Sequence, residues 1–594
     1  MALKGHIISD FRKAVLEGEH LASFNAADRW ETVSYETKEV SGVMLNASIE
    51  NWPQPVTVKP GLSGWHRIYV CMADYGGRGL SNHIGLRLTD DAYFTPMRAG
   101  DVQPFVQWHG MEKVEEAFWK AADLTGQDVV IEKLNDGLKY HANILWLRFE
   151  PMTEAEAEAY VSRRADPKTK TMLAHMDGDF FAFGRKEKPT DFLQALWQMK
   201  DADVGVVSQE IMNDLVNFDR VDPARYPSRG LWDHNRADYM KRFNRMRHEI
   251  YREELAFAHA HGMKLIAAQR MALSNFCFPI EQGIFEIPFV REHPECRCIQ
   301  RDGRCCSFLS YAYPEVQDFM IEAILDAIRQ GFDGVELLFS RGVFLLFEEP
   351  LAERFREKYG EEIDFRRLPE KDERLREVRC EVMNEFIARL RGAMDEIARE
   401  QGRERPVLYI TGSHTVEAGL NIGVDVKTLA ERGLIDGVIQ SNMSLWEEAD
   451  DVLAEDGLID LEKYAAKAEG DYVVRRKFGS DMDYMISGIP AYRRIADETG
   501  ITLYTELQWE NSRPPEGFVK AARDVFAAGS DAIALWDCYP ARVQNIGEWS
   551  AASQFGDRES VKDLPENPEA YRRLYRILSY DGQDMRLYHP SWRG

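Results

Sequence analysis

From about residue 168 onward, short apolar runs alternate with long amphipathic segments, and this alternation constrains the fold more than any other feature. Eight runs have the length and composition of strands: residues 171–176, 204–208, 264–269, 334–339, 406–411, 437–440, 502–507 and 532–536. Helical periodicity marks residues 238–261, 315–330, 372–401, 427–432, 489–499 and 515–528. Eight strands that alternate with helices predict an α/β fold, a closed (β/α)8 TIM barrel, whose chemistry lies at the carboxyl ends of its strands.

Residues 1–152 have a different pattern, in which short β-rich runs are separated by turn signals such as Pro60–Gly61. This spacing predicts a β-sandwich that either binds carbohydrate or only packs on the barrel and shapes its mouth. Residues 153–164 are rich in alanine and glutamate and begin at Thr153, a good N-cap residue. We therefore expect a helical linker at residues 153–167 and the barrel at residues 168–594. Four tryptophans of the first segment are either sugar-stacking surfaces or, as aromatic residues more often are, core residues: Trp52, Trp65, Trp108 and Trp119.

Composition excludes several functional classes. The chain has 594 residues, 44% of them hydrophobic, and a formal net charge of −25, which argues against a nucleic-acid surface and against attraction to anionic membranes. No apolar run is long enough to span a bilayer. The N-terminus lacks the apolar core of a signal peptide, so we expect a cytoplasmic protein, or a secreted or periplasmic one if a signal has been removed. Eight cysteines in a chain of this length do not make a disulfide scaffold. Whether the protein forms a homo-oligomer is left open.

Polar residues concentrate where the predicted strands end. Four carboxylates are the candidate catalytic groups: Asp177, Glu210, Glu336 and Glu506. The side chains expected to hold a sugar are His175, Asp179, Arg270, Arg341, His414, Asn442, Trp509, Trp536 and Asp537. Paired carboxylates can act as general acid and as nucleophile or base, whereas tryptophans stack on sugar rings and amides or arginines bind hydroxyl groups. The sequence therefore predicts a carbohydrate site.

Strand periodicity gives two of these carboxylates a direction. Alternation places Glu336 and Leu338 on the face of their strand that points into the barrel, and Val335 and Leu337 on the face that meets helices. Glu506 likewise has the inward parity of its strand. A carboxylate inside a barrel is hydrogen-bonded, ion-paired or used in chemistry. The structural alternative is that each is only the ion-pair partner of an arginine.

Two groups of residues raise the question of a metal. His175, Asp177 and Asp179 resemble a D-x-D metal site, although contacts to sugar hydroxyls are the favoured interpretation. A second group is His293 with the neighbouring thiols Cys296, Cys298, Cys305 and Cys306. Its spacing fits no standard zinc pairing, so ordinary loop thiols are favoured. No nucleotide-binding, lipase or zincin motif is present, and we expect no cofactor and no bound metal.

The stretch 293–360 contains HPECRCIQRDGR, LSYAYPEVQDFMIEAILDAI, FDGVELLFSRG and FEEPLAERFREKYG. These pieces resemble the glycosyl-hydrolase-like TIM-barrel proteins called family-10-like glycosyl hydrolases; the resemblance is looser over the rest of the barrel. The fourth-strand motif of that family is similar to Asp-Gly-Ile-Glu-Leu-Asp-Phe followed by arginine. It is matched here by Asp333, Gly334, Glu336, Leu337, Phe339 and Arg341. Leu338 stands where the pattern has its second aspartate, so if that aspartate serves chemistry, this chain uses other acids or none. The resemblance implies a carbohydrate-active barrel.

These observations predict a glycoside hydrolase that cleaves a poly- or oligosaccharide, with Glu336 and Glu506 as the preferred acid/base and nucleophile pair. Two alternatives stay open. The first is a catalytically silent carbohydrate-binding TIM-barrel protein, for which Leu338 is the main argument. The second is a metal-assisted carbohydrate lyase that uses His175, Asp177 and Asp179.

Overall fold

The computed structural model describes residues 3–24, 27–48, 50–73, 82–99, 113–134, 141–176, 187–211, 234–274, 287–340, 342–441, 447–448, 452–470, 474–475, 482–507, 515–536, 538 and 546–584. The strands before the barrel are β1 His6–Ile8, β2 Leu21–Ala22, β3 Trp30–Thr37, β4 Ser41–Ala47, β5 Val56–Val58, β6 Trp65–Ala73, β7 Asn82–Leu88, β8 Thr95–Ala99, β9 Lys113–Asp123, β10 Val129–Lys133, β11 Ala142–Ile144 and β12 Trp146–Pro151. They are followed by β13 Met172–Met176, β14 Val204–Glu210, β15 Lys264–Arg270, β16 Arg297–Ile299, β17 Cys305–Leu309, β18 Gly334–Leu338, β19 Val407–Gly412, β20 Gly437–Gln440, β21 Glu447–Glu448, β22 Val474–Arg475, β23 Thr502–Leu507 and β24 Ala532–Leu535. The last two strands are β25 Arg572–Tyr580 and β26 Gln583–Asp584.

The α-helices are α1 Phe11–Ala14, α2 Glu154–Ala165, α3 Gln194–Trp197, α4 His234–Ala260, α5 Pro288–Glu292, α6 Pro314–Gln330, α7 Glu349–Tyr359, α8 Glu373–Glu400, α9 Val416–Asn421, α10 Val426–Glu431, α11 Leu461–Gly470, α12 Met482–Thr499, α13 Pro515–Ala528, α14 Ile546–Ala552 and α15 Arg558–Asp563. In the part of the chain that the structure describes, no helix combines the length and the hydropathy needed to cross a bilayer.

The predicted barrel is confirmed. Strands β13, β14, β15, β18, β19, β20, β23 and β24 pair in parallel and close on themselves in this order. Each of them overlaps a predicted strand and differs from it only at the ends. The periodicity prediction also holds, because Val335 and Leu337 pack in the outer core with the helices. Leu338 instead packs inside the barrel against Ala268 and Trp536.

The predicted β-sandwich is confirmed as two antiparallel sheets that share one core. The larger sheet has the order β1-β12-β6-β9-β25-β3-β4-β11, and the smaller has the order β5-β10-β7-β8. Ile68 and Phe149 from the larger sheet pack with Val58, Leu86 and Ile131 from the smaller one.

Strand β25 requires a correction to the predicted domain organisation. The predicted barrel segment, residues 168–594, includes β25, but β25 pairs with β9 on one side and with β3 on the other. A closed barrel has no free strand edge to offer, whereas β9 and β3 each have an edge that needs a partner. The end of the chain therefore returns to the sandwich and joins the two halves of its larger sheet.

Helix α2 lies between the two units and coincides with the predicted helical segment. The Thr153 side chain accepts a hydrogen bond from the Glu156 amide, and the Glu156 carboxylate accepts one from the Thr153 amide at 2.8 Å. This reciprocal capping satisfies amide groups that a helix N-terminus leaves without partners. The linker boundaries themselves stay a prediction.

Candidate functional site

The barrel interior is apolar toward the start of the strands and polar toward their carboxyl ends. An apolar cluster fills one part of it with Leu173, Val206, Ile266, Tyr409, Ile439, Tyr504, Ala532 and Ala534. Later residues of these strands with the same inward parity are polar, namely His175, Ser208, Glu210, Thr411 and Glu506, and Glu336 of β18 joins them. We call the carboxyl ends of the strands the barrel mouth. Among the predicted site residues, Asp177, Asp179, Arg341, Asn442, Trp509 and Asp537 lie outside the described residues.

Glu336 is held by groups from three other strands. Its carboxylate accepts hydrogen bonds from the Ser208 hydroxyl and, at 2.6 Å, from the Thr411 hydroxyl. His175 Nδ1 lies 3.3 Å from the same carboxylate. The residue is only 1% exposed. Glu336 therefore sits inside a polar cluster that β13, β14 and β19 build around β18.

The charge state of Glu336 follows from these contacts. Burial by itself raises the pKa of the carboxyl group, but the nearby His175 charge and the hydrogen bonds from His175, Ser208 and Thr411 outweigh burial. The net pKa lies below its ordinary value of 4.5. Glu336 is consequently a carboxylate anion at neutral pH, a form that can stabilise positive charge but cannot deliver a proton.

His175 lies between this carboxylate and an aromatic surface. Its imidazole ring stacks on the Trp536 indole, with ring centroids 3.8 Å apart and ring planes 11° apart. Trp536 directly follows β24 and packs with Leu338 and Ala268. The stack and the carboxylate together fix the orientation of the imidazole ring. Both predicted sugar-binding residues are thus brought to one place beside Glu336.

Glu210 and Arg270 form a second polar pair at the mouth. They are the last residues of the neighbouring strands β14 and β15, and Arg270 Nε lies 2.6 Å from the Glu210 carboxylate. The Glu210 side chain is fully buried, whereas 13% of the Arg270 side chain is exposed. The predicted acid and the predicted substrate-binding arginine are therefore ion-paired and partly open to the mouth.

Glu506 lies near the end of β23 and is 3% exposed. Leu503 and Leu507 of the same strand pack outward with the helices, and Tyr504 packs inside the barrel. Since alternate residues of a strand share a face, Glu506 points into the barrel as predicted.

His414 is buried just after β19, where helix α12 approaches closely. A Cβ atom on Gly488 would lie 2.0 Å from the His414 carbonyl oxygen, so only glycine permits this approach. The same carbonyl accepts a hydrogen bond from the Gln440 side-chain amide at 2.7 Å. The backbone of His414 therefore has a structural role, and its predicted contact with sugar stays a prediction.

Ser208 and Thr411 were not among the predicted site residues, yet both donate hydrogen bonds to Glu336. Each shares the inward parity of its own strand, and that parity was the available signal. Which inward hydroxyl reaches which carboxylate depends on the stagger between strands, and that stagger is not readable from one strand alone.

The cysteine-rich segment after β15 forms a hairpin of β16 and β17. Cys298 and Cys306 are free cysteines, and the buried Cys298 thiol donates a hydrogen bond to the Cys306 sulfur. This hydrogen bond lowers the pKa of Cys306, whereas burial raises the pKa of Cys298. Among the described residues, the side chains that could together hold a metal ion are His293, Glu295 and Cys296, whose ligand atoms lie within 4.8 Å of one another. This cluster shares His293 and Cys296 with the segment weighed above for zinc.

No protein-family model matches the chain, and no curated protein matches it. The family-10-like resemblance therefore stays a prediction. Among solved structures, the chain is similar to the PgaB (BpsB) glycoside hydrolase domain from Bordetella bronchiseptica, with 14% identity and a TM-score of 0.36 over 62% of this chain and 94% of that domain. It is also similar to the α-galactosidase TtGalA from Thermus thermophilus, with 10% identity and a TM-score of 0.33 over 89% of this chain and 95% of that enzyme. The glycoside hydrolase domain of PelA from Pseudomonas aeruginosa gives 11% identity and a TM-score of 0.27 over 62% of this chain and 95% of that domain. The barrel assignment rests on the strand pairing given above.

Proposed function

We propose that this protein is a glycoside hydrolase that cleaves a poly- or oligosaccharide at the barrel mouth. The observation that carries the proposal is the convergence of buried carboxylates on one end of a closed parallel barrel, beside an arginine and a stacked His175–Trp536 pair. Glycosidic cleavage needs two carboxyl groups on opposite sides of the bond. Indole surfaces and guanidinium groups are suited to hold sugar rings and their hydroxyls.

We assign the reacting roles to Glu506 and Glu210. They lie near the ends of β23 and β14, which are not neighbours in the barrel. Glu336 receives a positioning role in this proposal, because hydrogen bonds from Ser208 and Thr411 keep it ionised and already use both of its carboxylate oxygens. The variants below distinguish this pair from the alternative pair, Glu336 with Glu506.

Product analysis on a panel of polysaccharides tests the reaction. A hydrolase releases new reducing ends, whereas a lyase releases unsaturated ends. Glu506→Gln and Glu210→Gln should each lower kcat by about 10²–10⁴-fold. Glu336→Gln should lower kcat less than either of them when activity is expressed per folded molecule. Full activity in Glu506→Gln would refute the proposal. A decrease in kcat in Glu336→Gln as large as that in Glu506→Gln would favour the alternative pair.

A catalytically silent carbohydrate-binding protein is the second candidate, and Leu338 is the observation that favours it. This side chain packs in an apolar cluster with Ala268 and Trp536, at the strand position where the resembling family has an aspartate. Binding of a glycan without any released product, by a protein whose affinity falls in Trp536→Ala, would support this candidate. The lyase alternative depends on Asp177 and Asp179, outside the described residues, and stays a prediction.

A further inference from the structure

The turn between helix α5 and strand β16 brings a histidine, a carboxylate and a thiol together. His293, Glu295 and Cys296 each offer one ligand atom, and these three atoms lie within 4.8 Å of one another. The sequence drew attention to His293 and Cys296 together with three further thiols of the same segment. In the part of the chain that the structure describes, the cluster contains Glu295 in place of those thiols.

Main-chain hydrogen bonds anchor the backbone that carries the three side chains. Pro294 begins a single helical turn, Pro294–Cys296, and its ring fixes the backbone there. The Cys296 amide donates to the His293 carbonyl at 3.2 Å, and the Ser310 amide donates to the Cys296 carbonyl at 2.8 Å. The turn is therefore tied to the far end of the β16–β17 hairpin, and the three side chains are kept close together.

Aromatic packing orients the histidine. The His293 ring lies against the Phe289 ring, with centroids 4.2 Å apart, and Phe289 stacks in turn on Phe319 of helix α6. His293 Nδ1 lies 3.0 Å from Glu295 Oε1. The ligand atoms of a tetrahedral zinc ion lie about 3.3–3.6 Å apart, given metal–ligand distances of about 2.0–2.3 Å. Glu295 is exposed and can adjust to that spacing by rotation of its side chain.

The Cys296 thiol completes the cluster from the buried side. Cys296 is 2% exposed, and its thiol makes no hydrogen bond among the described residues. Burial, and then the negative charges of Glu295 and Glu315, raise the pKa of this thiol to about 11. The surroundings of the thiol are therefore electronegative, and they suit a divalent cation better than an anion.

We propose that His293, Glu295 and Cys296 form a zinc site, which shares no residue with the proposed hydrolase site. Zinc accepts thiolate sulfur, imidazole nitrogen and carboxylate oxygen together, whereas calcium and magnesium take oxygen ligands. Three protein ligands leave a fourth position for a water molecule. When zinc binds, the Cys296 thiol releases its proton to solvent and the metal takes the place of that proton on the sulfur.

Metal titration of the full chain tests the proposal. Zinc is added to the reduced protein in competition with a chromophoric chelator, and we expect one zinc ion to bind per chain. Magnesium at the same concentration should not compete. Cobalt is the spectroscopic probe, since a bound thiolate gives a charge-transfer absorption band in the near ultraviolet. Neither measurement uses glycosidic cleavage, so the result is independent of the proposed hydrolase function.

Variants locate the metal. Cys296→Ser should remove the cobalt–thiolate band, and Cys296→Ser and His293→Gln should each weaken zinc binding by at least about 100-fold, because loss of a mere outer partner already costs about 10–100-fold. Cys305→Ser is the matched control, since Cys305 is an exposed thiol of the same hairpin that lies outside the cluster. Thermal melts establish that each variant is folded, and the partly exposed His293 decides the matter if the buried Cys296 does not tolerate serine.

Three results would overturn the proposal. The first is the absence of stoichiometric zinc binding to the reduced chain. The second is a cobalt complex without a thiolate band. The third is zinc binding that survives His293→Gln or Cys296→Ser but is lost in Cys305→Ser.

Discussion

Replacing Glu336 with glutamine should destabilise the barrel in a strongly pH-dependent way. The carboxylate accepts hydrogen bonds from Ser208 and Thr411 and faces His175 at 3.3 Å in a fully buried setting. A hydrogen bond to a buried charge contributes about 1.5–3 kcal/mol. Glutamine keeps the shape and one acceptor oxygen, so it retains one hydroxyl bond but loses the other and the charge that faces His175. We expect a loss of about 3 kcal/mol at pH 7, or roughly 3–6 °C in the Tm of the barrel transition.

The sign of the pH dependence follows from the pKa. Because the pKa of Glu336 in the folded protein lies below its ordinary value of 4.5, its charged form contributes stability above that pH. This contribution is lost as the pH falls through 4.5 toward the folded-state pKa. The difference between wild type and Glu336→Gln, measured by urea unfolding, should therefore be largest near pH 7 and shrink below about pH 4.5.

Glu348→Gln is the matched control. Glu348 is equally buried and accepts hydrogen bonds from the Leu346 and Ile299 amides, each at 2.9 Å. Burial raises its pKa despite these donors, so its protonated form is the one that the fold favours. The effect of Glu348→Gln should consequently be largest at low pH and decrease as the pH rises, the opposite trend to Glu336→Gln. Equal trends in the two variants, or a Glu336→Gln loss below about 1 kcal/mol at pH 7, would refute the reasoning.

A positioning role for Glu336 has a further readout that a merely structural role would not change. If Glu336 acts through His175, Glu336→Gln should move a limb of the pH profile of kcat/KM. Glu348→Gln should leave the profile in place. An unshifted profile in Glu336→Gln would assign the residue to stability alone.

Three further predictions concern other parts of the molecule. Arg270→Gln should lower the free energy of unfolding by about 3 kcal/mol, because it removes the arginine that pairs with the buried Glu210 carboxylate. A double-mutant cycle with Glu210→Gln should give a coupling energy above about 1 kcal/mol, and additive effects would contradict this pairing. Burial raises the pKa of Glu132 to about 7, so stability should fall as the pH rises from 4.5 to about 7, and Glu132→Gln should stabilise the protein at pH 8 by up to about 3 kcal/mol but not at pH 4.5. A chain that ends at residue 571 lacks β25, the strand that joins β9 to β3, and should expose the sandwich to limited proteolysis while the barrel stays resistant; equal resistance of both units would contradict the role of β25.

Features with local periodicity were predictable from the sequence. The barrel strands have apolar residues at every second position, and this period alone gives the inward direction of Glu336 and Glu506. Gly331 ends helix α6 with a positive φ of 104°, and β18 begins at Gly334 soon afterwards. Both signals span only a few residues, so one sequence contains them in full.

Features that depend on distant partners were not predictable in this way. Strand β25 pairs with β3, more than five hundred residues earlier, as the contact between Ser34 and Asp581 shows. Nothing within residues 572–580 distinguishes a sandwich strand from a strand that ends the barrel. The hydrogen-bond partners of Glu336 also come from distant parts of the sequence. Ser208 and Thr411 reach it because of the relative stagger of β14, β18 and β19.

Leu338 connects the electrostatics of Glu336 with the function of the mouth. It lies two residues beyond Glu336 on the same inward face and packs against Ala268 and Trp536. A second carboxylate at this position would repel the first, and one of the two would then be protonated at neutral pH. With leucine there, no second carboxylate repels Glu336. Its pKa stays below the ordinary value because it faces His175 and accepts hydrogen bonds from two hydroxyl groups. The Leu338 side chain packs against Trp536, whose ring stacks on His175. Leucine at this position, where the resembling pattern has an aspartate, therefore favours a Glu336 carboxylate that holds His175. Under the proposed hydrolase function, proton transfer would then fall to carboxylates on other strands.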